Sequence, residues 1–229
     1  MLAGGGCAMR FAIAALLVCA VCASPADAGA WLREHKGVFL SFGSTIRGNK
    51  YMMPDTETRV YAEYGVLPKL TLGLDINEIR AKSAHALIFA RLPLGPSDRQ
   101  SRYAFQLGVG QHRYRMQWAP MYKLALAFGR GFENRWGNGW MGAEFASEVH
   151  TDLPDPSHKL DFVAGMPSGW RVRPLFKLET AYMPGQPFSW AVTPGIMFDI
   201  GKSTWVLGIE GRSTTTETIG FTFDIWRSF

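Results

Sequence analysis

The chain has 229 residues, a net charge of +5 and an apolar fraction of 47%. That length is one domain's worth, enough for a barrel or a sandwich, and a mean hydropathy of −0.02 excludes a bundle of membrane helices. No lysine–arginine run supports nucleic-acid binding, so the positive balance points to acidic partners such as anionic lipid headgroups.

Arg10 precedes the apolar run FAIAALLVCAVCA, followed by SPADA and Gly29. A positive start, a short apolar core and Ala26-Asp27-Ala28 before a small residue describe a secretory signal over residues 1–28, cleaved after Ala28. The core falls short of the roughly 20 apolar residues a membrane helix needs. A lipoprotein anchor at Cys19 or Cys22 fits poorly with Val18 and Val21 before them. Cys7, Cys19 and Cys22 are the three cysteines of the chain, and all lie in this leader. The expected mature chain, residues 29–229, therefore has neither disulfides nor thiolate chemistry.

From Gly37 onward, short segments alternate apolar and polar residues, the period of a strand with one greasy face. The first places Val38, Leu40 and Phe42 against Phe39, Ser41 and Gly43. The second sets Val60, Ala62 and Tyr64 against Arg59, Tyr61 and Glu63. The third sets Leu70, Leu72, Leu74 and Ile76 against Thr71, Gly73, Asp75 and Asn77. In AHALIFARL the cleaner apolar face is Ala84, Ala86, Ile88, Ala90 and Leu92, which turns His85 and Arg91 the other way. Seven more follow: YAFQLGVG, YKLALAFG, WMGAEFASE, LDFVAGM, PLFKLETAY, FSWAVTPGIMFDI and TWVLGIEGR. The twelfth is GFTFDIWRSF, where Ile219, Phe221, Phe223, Ile225 and Phe229 share a face.

One face of these segments collects Leu, Ile, Val, Phe, Tyr and Trp, with aromatics near the segment ends. The other collects Gly, Ser, Thr and charged residues. A soluble sandwich or lipocalin shows the same alternation, but glycines on the polar face leave room inside a barrel and the aromatics match two interfacial girdles. In hydrocarbon every backbone group needs a partner, so such strands must close on themselves. The expected fold is all-β: a closed antiparallel transmembrane β-barrel of about 12 strands, within roughly 10–14.

The expected outward connections are RGNKYMMPDTET, NEIRAKS, QHRYRMQWAPM, VHTDLPDPSHK, MPGQP and STTTET. They are longer on the whole than the inward turns VLPK and GKS, although GPSDRQSR and GRGFENRWGNG break the asymmetry. Pro194 inside a strand is a difficulty, because a closed barrel has no edge for a missing donor, and Pro194-Gly195 reads as a bulge.

EYGVLPKLTLGLD resembles a hairpin common in Gram-negative outer-membrane barrels: Tyr64-Gly65, Val66, the basic turn Pro68-Lys69, then Leu70-Thr71-Leu72-Gly73. The terminal strand, with Phe221, Phe223 and Phe229, resembles the signal read by the barrel-assembly machinery. The chain is also similar to poorly characterised exported barrels, some of them grouped with transporters of aromatic-degradation pathways. This likeness implies a fold and an outer-membrane location, and carries no functional residue across.

The inward faces contain Glu63, Asp75, His85, Arg91, Glu144, Lys177, Glu179, Glu210 and Arg212, along with Lys123, Asp161, Asp199 and Asp224. Mixed signs favour a paired network filling a narrow lumen over a selective ring of one sign. His150, Asp152, Asp155 and His158 gather in one loop, but no zinc or hydrolase framework surrounds them. Ser147 and His150 fall on opposite faces of one strand. Arg113, Arg115 and Trp118 read either as a contact for lipopolysaccharide phosphates or as an ordinary aromatic girdle with a solvated loop. No catalytic set, cofactor or metal site is expected. The expected role is non-enzymatic: passage of an unidentified small or apolar solute, or envelope structure. The alternatives are an outer-membrane enzyme acting on lipid or peptide at the rim, and a soluble periplasmic lipocalin-like binder.

Overall fold

A computed structural model describes residues 29–48, 54–96, 100–114, 116–135, 137–166, 171–213 and 219–229. The expected leader, residues 1–28, lies outside them. Every regular element among the described residues is a strand. In chain order these are β1 (Val38–Arg47), β2 (Asp55–Leu67), β3 (Leu70–Ile79), β4 (Ser83–Pro93), β5 (Ser101–Tyr114) and β6 (Gln117–Asn134). Then come β7 (Gly137–His150), β8 (Ser157–Gly165), β9 (Arg173–Tyr182), β10 (Ser189–Ile200), β11 (Ser203–Arg212) and β12 (Ile219–Ser228).

Each strand pairs antiparallel with its sequence neighbours, and β1 with β12 shuts the ring, from Phe39 opposite Ser228 to Arg47 opposite Gly220. Two further bonds finish the seam: Phe229 N donates to Val38 O at 2.9 Å, and Val38 N to Phe229 O at 3.2 Å. All twelve alternating segments are strands, and the faces fall as the alternation predicts. Phe42 and Ile88 point outward, 47% and 61% exposed, while Phe39, Leu87 and Arg91 are buried inside. Large apolar side chains standing outward on every strand are what hydrocarbon accepts and water does not.

The start of β1, the end of β12 and the short turns lie at one end of the barrel, here the terminal end. The β1–β2, β3–β4 and β7–β8 connections lie at the other, the loop end. The strands are longer than alternation alone marks. Arg47, Asp55 and Glu57 belong to β1 and β2 rather than to an outward loop. QHRYRMQWAPM shrinks to two residues between β5 and β6, and GRGFENRWGNG to two between β6 and β7. The first is rich in polar and basic residues and the second mixes polar residues with glycine, so neither shows a greasy face, yet both keep full ladders (Gln111 opposite Pro120, Phe132 opposite Gly139). At 18 residues β6 exceeds the 9–11 that cross a bilayer, so these hairpins stand clear of it.

Pro194 makes no bulge. On β11 the pairing runs from Val192 opposite Gly211 to Gly195 opposite Gly208 with no residue inserted, and β9 pairs straight through Pro194 and Phe176. The ladder simply lacks its rungs beside the proline. A register shift instead falls between Gly65 and Leu67, at the turn into β3.

Candidate functional site: a strapped lumen

The nine described residues before β1, 29–37, show no periodicity, and the structure folds them into the terminal end of the barrel. Lys36 N donates to Gly65 O at 2.7 Å, and Gly65 N donates back to Gly37 O at 2.9 Å. A side chain at Gly65 would collide with the Glu34 carbonyl, so only glycine lets the strap cross there. Further in, Arg33 N donates to Thr71 Oγ1 at 2.9 Å and its guanidinium pairs with Glu63. Ala30 and Trp31 are buried in a cluster with Ala104, Ala127, Trp140, Leu175, Met197 and Val206. The Trp31 ring fills the space a Cβ would need at Gly129. The strap is an apolar stopper made from the segment that leads into β1.

Above it the wall charges pair across strands. Arg91, 1% exposed, donates to Glu63, to Gln106 Oε1 (2.8 and 3.2 Å) and to Tyr61 Oη (2.9 Å). Tyr61 Oη donates to Glu63 at 2.6 Å, so the guanidinium, the phenol and the carboxylate of this group all have partners. His85 stands 3.3 Å from Asp75, Lys123 lies 2.7 Å from Glu144, and Lys177 lies 2.9 Å from Asp224. Toward the loop end Arg47, 1% exposed, grips Glu210 at 2.7 and 3.0 Å and pairs with Glu57. Arg59 links Glu57 (3.4 Å) to Asp224 (3.2 Å), and Arg212 lies 3.5 Å from Glu210.

The nine lumenal residues singled out from sequence all sit on inward faces, and eight of them have an ion-pair partner within 4 Å; Glu63 with Arg91, Asp75 with His85, and Glu210 with Arg212, pair with each other. Lys177 is held by Asp224, a residue outside those nine. Glu179 shares no such pair among the described residues and faces a chamber. Sequence reading missed Arg47, Glu57, Arg33 and Trp31. The first two lie in a segment taken for a loop, and the strap carries no periodic signal. A buried arginine flanked by acids ten residues away, as in Arg47 and Glu57, was the available clue.

The chamber has a volume of ≈ 330 Å³ and lies between the strap and the mid-barrel wall. Its lining includes Gly29, Arg33, Tyr61, Trp140 and Trp226 together with Glu144, Asp161, Lys177 and Glu179. At the loop end, His112 Nε2 lies 2.5 Å from Asp152 Oδ1, and its ring lies 4.3 Å from that of His150. Lys159 reaches Glu148 at 2.8 Å beside them. Ser147 shares the outward face of β7 with Phe145 and Val149, away from His150, so these two are not brought together. His158 stacks on Phe145 on that outer face, 6.2 Å between rings. Among the described residues no group of three His, Cys, Asp or Glu side chains is arranged to hold a metal ion.

On the outside, Arg113 lies over the Trp118 ring at 5.6 Å and donates to Glu78 Oε1 at 2.7 Å. Trp118 is exposed, and Arg115 falls outside the described residues. Phe221 and Phe229 are exposed on the barrel exterior, and Phe223 packs edge-on against Trp205 at 5.3 Å.

No family model matches the chain, and no curated protein matches it in sequence. Solved structures do match in shape. The KdgM porin superposes with a TM-score of 0.58 at 8% identity, covering 83% of this chain and 99% of that one. The NanC porin gives 0.60 at 9% identity, over 83% and 98%. LpxR from Salmonella typhimurium gives 0.54 at 7% identity, over 82% and 99%. The likeness is one of fold. The chain is a closed barrel of twelve antiparallel strands. A grouping with transporters of aromatic-degradation pathways finds no match among these structures.

Proposed function

We propose that the protein is a Gram-negative outer-membrane barrel, non-enzymatic, that passes a small polar solute through a lumen stopped by its N-terminal strap. The observation that carries this reading is the ≈ 330 Å³ chamber, which is walled by charged side chains and floored by the strap. An apolar solute would have to displace hydration from Glu144, Asp161 and Glu179, so the lining favours a polar one. The apolar exterior counts against a soluble lipocalin-like binder. A rim enzyme would need a nucleophile beside His112 or His150, and Ser147 faces the wrong way.

The same reading extends to partners. Arg113 over Trp118 offers a guanidinium at the interface for lipopolysaccharide phosphate, at the cost of sharing it with Glu78. The outward aromatics of β12, ending in Phe229 beside the closing seam, are what the barrel-assembly machinery would read.

Conductance of the refolded chain 29–229 in planar bilayers tests the proposal. The native barrel should open rarely, while Trp31→Ala with Arg33→Ala, which loosens the strap, should raise conductance severalfold. A loosened barrel that stays closed-shaped on unheated gels and yet remains silent would remove the solute path.

A further inference from the structure

The strap runs inward from Lys36 at the rim to Gly29, which lies deepest and borders the chamber. A Cβ at Gly29 would lie 3.5 Å from the Ala127 methyl and 3.7 Å from Glu144 Oε2. Beside it stands a wall whose charge does not close. Glu63 is shared by Arg33 and Arg91, Lys123 is committed to Glu144, and Lys177 to Asp224. Asp161 accepts a 3.3 Å bond from Thr180 N, and neither it nor Glu179 has an ion pair among the described residues. Two carboxylates facing a half-enclosed space call for a cation.

The chain can supply one itself. Ala26-Asp27-Ala28 precedes Gly29 in the form a signal peptidase cuts. Hydrolysis of the Ala28–Gly29 bond adds the hydroxyl of water to the Ala28 carbonyl carbon and its hydrogen to the Gly29 nitrogen. The new carboxyl then gives up its proton and the new amine takes one up. A neutral amide beside Glu144 thereby becomes an ammonium. An uncut leader would instead have to continue from Gly29 through a chamber that holds only about ten waters.

We propose that leader cleavage after Ala28 places the α-ammonium of Gly29 inside the lumen, paired with Glu144 and the Asp161–Glu179 wall, and that this pairing holds the strap in the barrel. The inference rests on the reading of the strap as the stopper of the solute path, and not on conduction. The processed end of the chain is then a working part of the lumen. Removal of the leader and closure of the barrel become coupled, because a precursor has no charge to offer at that position.

The test uses mature protein extracted from outer membranes in mild detergent. Intact mass should correspond to a chain beginning at Gly29. An amine-reactive N-hydroxysuccinimide ester at neutral pH should label the Gly29 amine at least about tenfold more slowly in the folded barrel than in the boiled chain, as expected for a group reached only by local opening. In Glu144→Gln/Asp161→Asn/Glu179→Gln that protection should fall severalfold, with barrel closure checked by unheated gel mobility. If the triple variant does not close, Glu144→Gln alone is read in the same way. A different first residue, equal labelling of folded and boiled chains, or full protection in the closed variant would each overturn the proposal. A silent pore would sink the solute path and leave these labelling rates untouched.

Discussion

The two ends of the barrel are shut by opposite means. At the terminal end, Ala30 and Trp31 pack on Ala127, Trp140, Leu175 and Met197, and the seal is apolar. At the loop end, Arg47 sits between Glu57 and Glu210, and His112 lies beside Asp152 and His150; the seal is electrostatic. Once the expected leader is removed, an apolar stopper that precedes the first strand is tied to the wall by the chain only at Gly37, and it can leave as a unit. Arg47 on β1, clamped between Glu57 on β2 and Glu210 on β11, cannot be released without disturbing the ladder. The terminal end is therefore the end built to move, and the loop end the one built to hold shape.

The largest effect should come from Arg47. Removing one partner of a buried ion pair typically costs about 3–5 kcal/mol, because the remaining charge stays buried. Arg47→Ala would strand Glu57 and Glu210, although Arg59, Asn77 and Arg212 still touch them. A loss near the lower end, about 3 kcal/mol, is expected in urea unfolding of the detergent-solubilised barrel. Adding Glu57→Gln and Glu210→Gln should return much of it. If Arg47→Ala unfolds at the wild-type urea concentration, charge does not hold the loop end.

A smaller effect is expected at the terminal end. The Trp31 ring occupies the place of a Cβ at Gly129, so Gly129→Leu must expel the ring or strain the β6 backbone. Overpacking of this kind costs about 1–3 kcal/mol when the structure has to absorb it. A strap free to leave absorbs it by leaving. The expected outcome is near-normal urea stability together with a red-shifted tryptophan emission and protease cleavage near Arg33. A large stability loss with the strap still protected would mean that this end is as fixed as the other.

The contrast also shows what the sequence could carry. The barrel was legible because a period of two survives in every strand, and the aromatic outward faces of β5, β6 and β12 mark the lipid side without any knowledge of pairing. The loop-end seal was not legible, because RGNKYMMPDTET has no apolar face and Arg47 and Glu57 look like solvated loop charges. The hairpin tips of β5, β6 and β7 were hidden for the same reason: once a strand leaves hydrocarbon its alternation is no longer required. The strap is a single pass with no repeat, and its role rests on Trp31 meeting a glycine about a hundred positions away. That meeting is a property of the closed ring, which no local pattern reports.

The smallest effect concerns the loop latch. Desolvation works against ionised Asp152, but the hydrogen bond from His112, a backbone hydrogen bond and the nearby His112 and His150 rings together outweigh it, so this carboxyl is held below its ordinary value of 3.8. A carboxyl lowered on folding adds stability at pH values above its ordinary pKa, and that contribution is lost as pH falls through the lowered one. Near neutrality, Asp152→Asn should therefore speed amide exchange over the β7–β8 connection, residues 151–156, with little change in the rest of the barrel. As pH drops below 3.8 the native loop should lose its own latch and the two exchange rates should converge. His150 and Glu148 face the same pair from β7, so His150→Gln serves as the control for charge on that side. Equal exchange in both proteins at neutral pH would show that the latch contributes nothing. The loop end would then be held by Arg47 and its partners without help from His112.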